Sequence, residues 1–151
     1  MKRTLRPAVF VVVYKIEKEN KPLYFLLKRK LHWKGWEFPK GKIEKGEGKE
    51  KTARREAFEE TGYRIFNLKK YKVSGSYRYE KMLADRPQYY GQSYTLFSGE
   101  ANPGNKKPKL DPKEHNGFGW FDFKTAMKKL TWPNQKRCLK IVNREITKND
   151  F

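Results

Sequence analysis

The sequence predicts a single-domain α/β protein, and three stretches carry that expectation. Residues 8–14 read AVFVVVY, a continuous apolar and β-branched run that suits a strand buried on both faces. Residues 49–60 are mostly Lys, Glu, Ala and Arg, which are good helix formers. Gly46 and Gly48 stand before them and suit a turn, and Gly62 stands after them and suits a left-handed cap. Leu139, Val142 and Ile146 recur at i, i+3 and i+7, the apolar stripe of a last helix. The chain has 151 residues, enough for one domain with one core, and residues 1–151 are expected to form it.

The other elements follow in order. Residues 17–22 (EKENKP) form a polar turn, and residues 23–27 a second strand that makes a hairpin with the first. Residues 32–39 (HWKGWEFP) read as an irregular aromatic approach to the helix that follows. Residues 63–73 mix apolar and basic side chains and read as one strand or two, and residues 74–86 as a strand end and a loop. Residues 88–101 alternate around Ser93, Tyr94, Thr95 and Leu96, which predicts a half-buried strand. Residues 102–112 (NPGNKKPKLDP) are a Pro/Gly/Lys loop, expected to be mobile and a place for a substrate lid. Residues 123–130 read as a short helix, with Thr131 as N-cap of the last helix and Pro133 in its first turn.

Composition narrows the chemistry. Thirty-six Lys and Arg against seventeen Asp and Glu give a formal charge of +19. Such a charge points to an anionic partner, a polyphosphate, a nucleic acid or an anionic surface, or else serves solubility. Cys138 is the single cysteine, so no disulfide framework or zinc cluster forms within the chain. His32 and His115 are too few for a histidine metal site. The apolar run after the basic start is too short to span a membrane and lacks a cleavage site, so a cytoplasmic protein without a membrane or obligate protein partner is expected.

The informative stretch is residues 41–63, GKIEKGEGKEKTARREAFEETGY. On the helix, Glu56, Glu59 and Glu60 fall at i, i+3 and i+4 and share one face. Three carboxylates together repel and need a cation, and that many hard oxygens suit Mg²⁺ or Mn²⁺ better than zinc. Glu47 can add an oxygen or orient Arg55. Ala53 and Ala57, small and four apart, let the helix pack close to a sheet. No Gly-Lys-Ser/Thr phosphate loop and no three-glycine dinucleotide fingerprint is present.

Gly41, Glu47, Arg55, Glu56, Glu59, Glu60 and Gly62 fit the spacing G-x5-E-x7-R-E-U-x-E-E-x-G-U, where U is apolar. At roughly one in fifteen per position, a chance match is on the order of one in a million. On these residues the chain resembles a Nudix hydrolase, with Ala57 and Tyr63 as less usual apolar fillers. The resemblance, spanning about residues 8–146, implies an α/β/α sandwich around a mixed sheet. It also implies hydrolysis of a nucleoside diphosphate linked to another group, with Mg²⁺ or Mn²⁺ as cofactor.

It further implies roles. Glu56, Glu60, the Gly41 carbonyl and Glu114 are carried over as metal ligands, Glu59 as a ligand or the water-activating base, and Arg55 as the residue orienting these carboxylates. Lys40 and Lys42 flank the site as phosphate-binding candidates or plain surface lysines. Tyr79, seventeen residues after Gly62, is a base-stacking candidate or an ordinary strand tyrosine. Arg86 is a substrate-binding candidate, with Lys28, Arg29 and Arg78 as open alternatives. The lead-in Trp36-Glu37-Phe38-Pro39-Lys40-Gly41 and the segment Glu114-His115…Trp120 resemble diadenosine tetraphosphate hydrolases, in which the Trp begins a strand under the last helix. Gly91-Gln92-x-Tyr-x-x-Phe resembles RNA pyrophosphohydrolases as well as plant diadenosine tetraphosphate hydrolases. The implied substrate is a nucleoside polyphosphate, first diadenosine tetraphosphate cleaved to ATP and AMP. RNA 5′ ends are the alternative, and a non-catalytic nucleotide- or RNA-binding module is the second alternative.

Overall fold

Strand β1 (Thr4–Ile16) is the spine of the molecule. A computed structural model describes residues 2–148. The apolar run of β1 is buried on both faces because its side chains alternate between two cores. Phe10, Val12 and Tyr14 enter one core, and Val9, Val11 and Val13 the other.

A 3₁₀ turn over Lys18–Asn20 reverses the chain into β2 (Pro22–Arg29), and the expected hairpin forms with Tyr14 opposite Tyr24. The aromatic approach is more regular than its composition suggests. Gly35–Glu37 forms β3 on the far edge of β2, and Lys40–Lys42 forms β4 against β1. Helix α1 (Lys49–Thr61) follows and ends at Gly62, whose φ of 79° is the left-handed cap the glycine allows.

Strand β5 (Ile65–Arg78) is one long edge strand with two irregularities in register. Strand β6 (Tyr89–Ala101) differs from the half-buried expectation. It runs parallel to β1 and antiparallel to β5, so it is central and covered on both sides. Its polar Thr95 and Ser98 are buried, and Ser98 Oγ stands 2.9 Å from the Tyr71 hydroxyl, which satisfies both groups. Strand β7 (His115–Phe121) pairs antiparallel with β2. The sheet runs β3-β2-β1-β6-β5, with β4 added beside β1 and β7 beside β2.

Helices cover both faces. Ala53 and Ala57 of α1, both fully buried, press on the face of Val9, Val11 and Val13. Helices α2 (Phe123–Lys129) and α3 (Pro133–Thr147) cover the opposite face, where Leu139 and Val142 are buried and Ile146 packs at the margin. This is the α/β/α sandwich. Two local expectations are corrected. Trp120 lies next to the end of β7 rather than beginning it and joins the core under α1, against Phe25 and Tyr63, not the core under the last helix. The N-cap of α3 is Trp132, because Thr131 Oγ1 instead accepts a hydrogen bond from the Trp36 amide across β3.

The 102–112 loop is tied down. Lys109 N donates to the Thr61 carbonyl at the end of α1, the Tyr63 hydroxyl donates to the Lys106 carbonyl, and Leu110 packs into the core. It is an anchored wall rather than a lid. No helix among the described residues is long and apolar enough to cross a membrane.

Candidate active site

The carboxylates of α1 meet β4 because Gly41 leaves room for them. A Cβ on Gly41 would lie 1.9 Å from Glu56 Cδ, so that glycine is required for Glu56 to lie against the strand. Glu60 turns beneath it and accepts the Lys40 amide at 2.9 Å. Arg55 holds the cluster in place. Its Nε and Nη2 donate to the two oxygens of Glu47 at 2.8 Å each, and Nη1 donates to Glu56 at 2.6 Å and to Glu59 at 3.2 Å. Its Nη2 also donates to the Lys42 carbonyl at 2.9 Å. Of the two roles open to Glu47, the structure shows the orienting one. Hydrogen bonds from Arg55, stronger than the opposing effect of burial, hold its carboxyl down at about 2.

The cluster bounds a cleft of about 210 Å³ lined by Gly41, Glu56, Glu59, Glu60, Glu114 and Asp111, with Arg6, Arg29, Lys40 and Arg86 on its cationic side. Burial pushes the Glu56 carboxyl up to about 7 despite Arg55, and raises Glu60 well above the ordinary range, with Glu37 adding to the effect. Carboxylates held this way favour a positive ion in place of their protons. Ligand atoms of Glu60, Glu114 and His115 lie within 4.8 Å of one another. His115 donates through Nε2 to the Glu37 carboxylate at 2.7 Å, and its Nδ1 faces Glu60 at 3.5 Å. The oxygen donors that remain fit a hard divalent cation.

A second cavity, about 430 Å³, opens beside the cleft. Trp33, Tyr77, Tyr79 and Trp132 give it aromatic walls, and it shares Arg29, Lys40 and Arg86 with the cleft.

A model of the NUDIX domain matches residues 4–140. The chain belongs to the Nudix family. It is similar to the RNA pyrophosphohydrolase of a Nitratiruptor species, 28% identical over 151 positions, which cover 95% of this chain and 97% of that protein. Among solved structures, it resembles a binary complex of the Ap4A hydrolase of C. elegans, with a TM-score of 0.76, 19% identity, and 95% and 99% of the two chains covered. The dihydroneopterin triphosphate pyrophosphohydrolase of E. coli is similar at TM-score 0.76 and 17% identity, covering 95% of this chain and 99% of that one.

Gly41, Glu56, Glu59, Glu60 and Glu114 line one cleft, and Arg55 stands behind it holding Glu56 and Glu59. Lys40 bridges cleft and cavity, and its ammonium lies 3.0 Å from Glu37. Arg86 also lines both, and Tyr79 lines the cavity, its hydroxyl donating to Gln92 at 3.3 Å. Lys42 stands apart, 5.8 Å over the Tyr89 ring and outside the lining of both. Of the open alternatives, Arg29 lines both spaces and Arg78 the cavity, whereas Lys28 lines neither.

Sequence reasoning missed the buried hub beneath the cleft. Glu37, fully buried, accepts from Arg29 Nη1 at 2.9 Å, contacts His115 and pairs with Lys40. Burial alone would raise its carboxyl, but Lys40, His115 and Arg29 more than offset that and hold it below the usual range. Arg6 and Asp111 were missed as well, and Arg6 Nη1 donates to Gln92 Oε1 at 3.0 Å. The one available signal was the charged Glu37 inside an aromatic run.

Proposed function

We propose that this Nudix hydrolase removes phosphate or pyrophosphate from the 5′ end of RNA. The observation carrying the reading is the pair of adjoining spaces: one aromatic cavity of about 430 Å³ beside one carboxylate cleft of about 210 Å³, joined by Arg29, Lys40 and Arg86. A terminal nucleoside stacks on Tyr77, Tyr79 and Trp33, and its phosphates cross the cationic bridge into the cleft. The +19 charge and the likeness to an RNA pyrophosphohydrolase support a polyanionic substrate.

Glu56, Glu60, Glu114 and the Gly41 carbonyl would hold divalent metal, Mg²⁺ or Mn²⁺, with Glu59 as a further ligand or as base. When bound, the metal neutralises phosphate oxygens and lowers the pKa of water. Arg55 keeps Glu56 and Glu59 aimed into the cleft. Acting as base, Glu59, half exposed at the mouth, would take the proton from the attacking water. The water oxygen forms a new bond to phosphorus as the anhydride bond breaks, and Arg86 and Lys40 receive the charge on the departing phosphate.

Asymmetric cleavage of diadenosine tetraphosphate is the second reading. The lead-in through Lys40-Gly41 and the Glu114-His115 segment favour it, and Glu37 and His115 of those two segments meet at 2.7 Å. A dinucleotide needs a place for its second base. Incubation with a 5′-triphosphorylated RNA, and separately with diadenosine tetraphosphate, in Mg²⁺ separates the two. Pyrophosphate or phosphate from RNA at the higher kcat/KM supports the first reading, and ATP plus AMP with inert RNA replaces it by the second. Glu59→Gln addresses the binding-module alternative: turnover in the wild type that the variant lacks excludes it.

A further inference from the structure

We infer that the outer face of α3 is a docking ridge for the phosphate backbone of single-stranded RNA whose 5′ end occupies the cleft. This rests on the reading above and extends it from the terminal nucleotide to the strand behind it.

The charge of the protein is not evenly laid over its helices. Helix α1 carries Lys49, Lys51, Arg54 and Arg55 against Glu50, Glu56, Glu59 and Glu60, a balanced set. Helices α2 and α3 carry Lys124, Lys128, Lys129, Lys136, Arg137, Lys140 and Arg144 against Glu145 alone. A general lysine bias would load all three helices alike.

On α3 the exposed positions are Pro133, Arg137, Lys140 and Arg144, continued by Lys148 just beyond it. Their spacing of three or four residues places them on one face, with about 5 Å of rise between neighbours. That is the same order as the separation of successive phosphates along one strand. Like charges at this spacing repel one another within a helix, which disfavours the arrangement unless an anion faces it. Among the described residues, no carboxylate pairs with Arg137, Lys140 or Arg144. Glu145 is engaged by Lys69 and by Lys148, the latter at 2.8 Å.

The ridge starts at the proposed nucleoside cavity. Trp132, Pro133, Asn134 and Gln135, at the beginning of α3, line that cavity, and Pro133 heads the exposed face itself. A strand leaving the cavity therefore meets the cations in succession. Charge complementarity and this continuity select RNA over a flat anionic surface.

The test is binding and turnover of 5′-triphosphorylated RNAs of about 2 and about 12 nucleotides, as a function of salt, for the wild type and Arg137→Gln/Lys140→Gln/Arg144→Gln. Glutamine keeps helix propensity at these exposed positions. The wild type is expected to bind the longer RNA about tenfold or more tighter at low salt. The variant should lose most of that gain, and its log–log salt slope should shrink by about 2, the value for three single-strand phosphate contacts. Its turnover of the dinucleotide should equal that of the wild type, which also reports correct folding. The swap Arg137→Lys/Lys140→Arg/Arg144→Lys should restore the length dependence. A variant with unchanged length dependence and slope overturns the ridge. So does loss of binding to phosphatidylserine vesicles with RNA binding intact, which would make the face a membrane contact. If even the dinucleotide resists hydrolysis by the wild type, the RNA-end reading itself fails, and the ridge with it.

Discussion

Gly41 shows how one missing side chain shapes the cleft. Its absent Cβ is the space that Glu56 occupies, and Arg55 pins that carboxylate from the other side at 2.6 Å. Gly41→Ala must displace Glu56 from its place, while the strand pairing to Val9 needs no side chain. The expected outcome is a fall of about 10- to 100-fold in metal affinity and kcat, as for other changes that misplace a ligand, with little change in Tm. A metal titration of activity beside a thermal melt checks this, and an alanine variant with normal metal affinity would show that Glu56 is not held by this contact. That Gly41 and Glu56 belong to one site was legible because the spacing G-x5-E-x7-R-E is local in the chain, whereas the room left by the missing Cβ depends on how α1 packs on β4 and was not. Lys42, equally prominent in the sequence, turned out to lie over Tyr89, because side-chain direction on a three-residue strand depends on its neighbours.

Among strands and helices, what could be read ahead was what local pattern decides. The apolar run of β1, the β1–β2 hairpin, α1 with its Gly62 cap and the stripe of α3 all appear where periodicity and turn residues place them. The hub could not be read because pairing creates it. Leu27 lies opposite Glu37 in the β2–β3 register and Arg29 opposite His115 in the β2–β7 register, which brings Glu37, Arg29 and His115 side by side. Thr131 likewise looked like a cap until β3 approached it. Glu37 now compensates Arg29, Lys40 and His115 in a closed space. Glu37→Ala leaves those groups without their anion, and breaking a buried pair in this way costs about 3–5 kcal/mol. Urea unfolding measures it, and a loss below about 1 kcal/mol would mean that water reaches the hub and that Glu37 is not its keystone.

Across the protein as a unit, cleft and fold pull in opposite directions, and pH reveals it. Burial pushes the Glu56 carboxyl in the folded chain up to about 7 against an ordinary value of 4.5, and raises Glu60 in the same sense. The folded state thus binds more protons than the unfolded state between those values, so these groups erode stability as pH rises through that window. A divalent ion replaces the protons, so the Tm increment from Mg²⁺ should be larger at pH 8 than at pH 5.5, and an increment independent of pH would place the ion elsewhere. The Nudix carboxylates, on this view, serve the reaction at the expense of the fold. Glu56→Gln is the decisive variant, with hydrolysis of 5′-triphosphorylated RNA and thermal stability measured on one sample in Mg²⁺ at pH 8. The expected result is turnover reduced by about 100-fold with Tm, read without metal, equal to or above that of the wild type. Turnover near the wild-type rate, or a collapse of Tm that accounts for its loss, would contradict it.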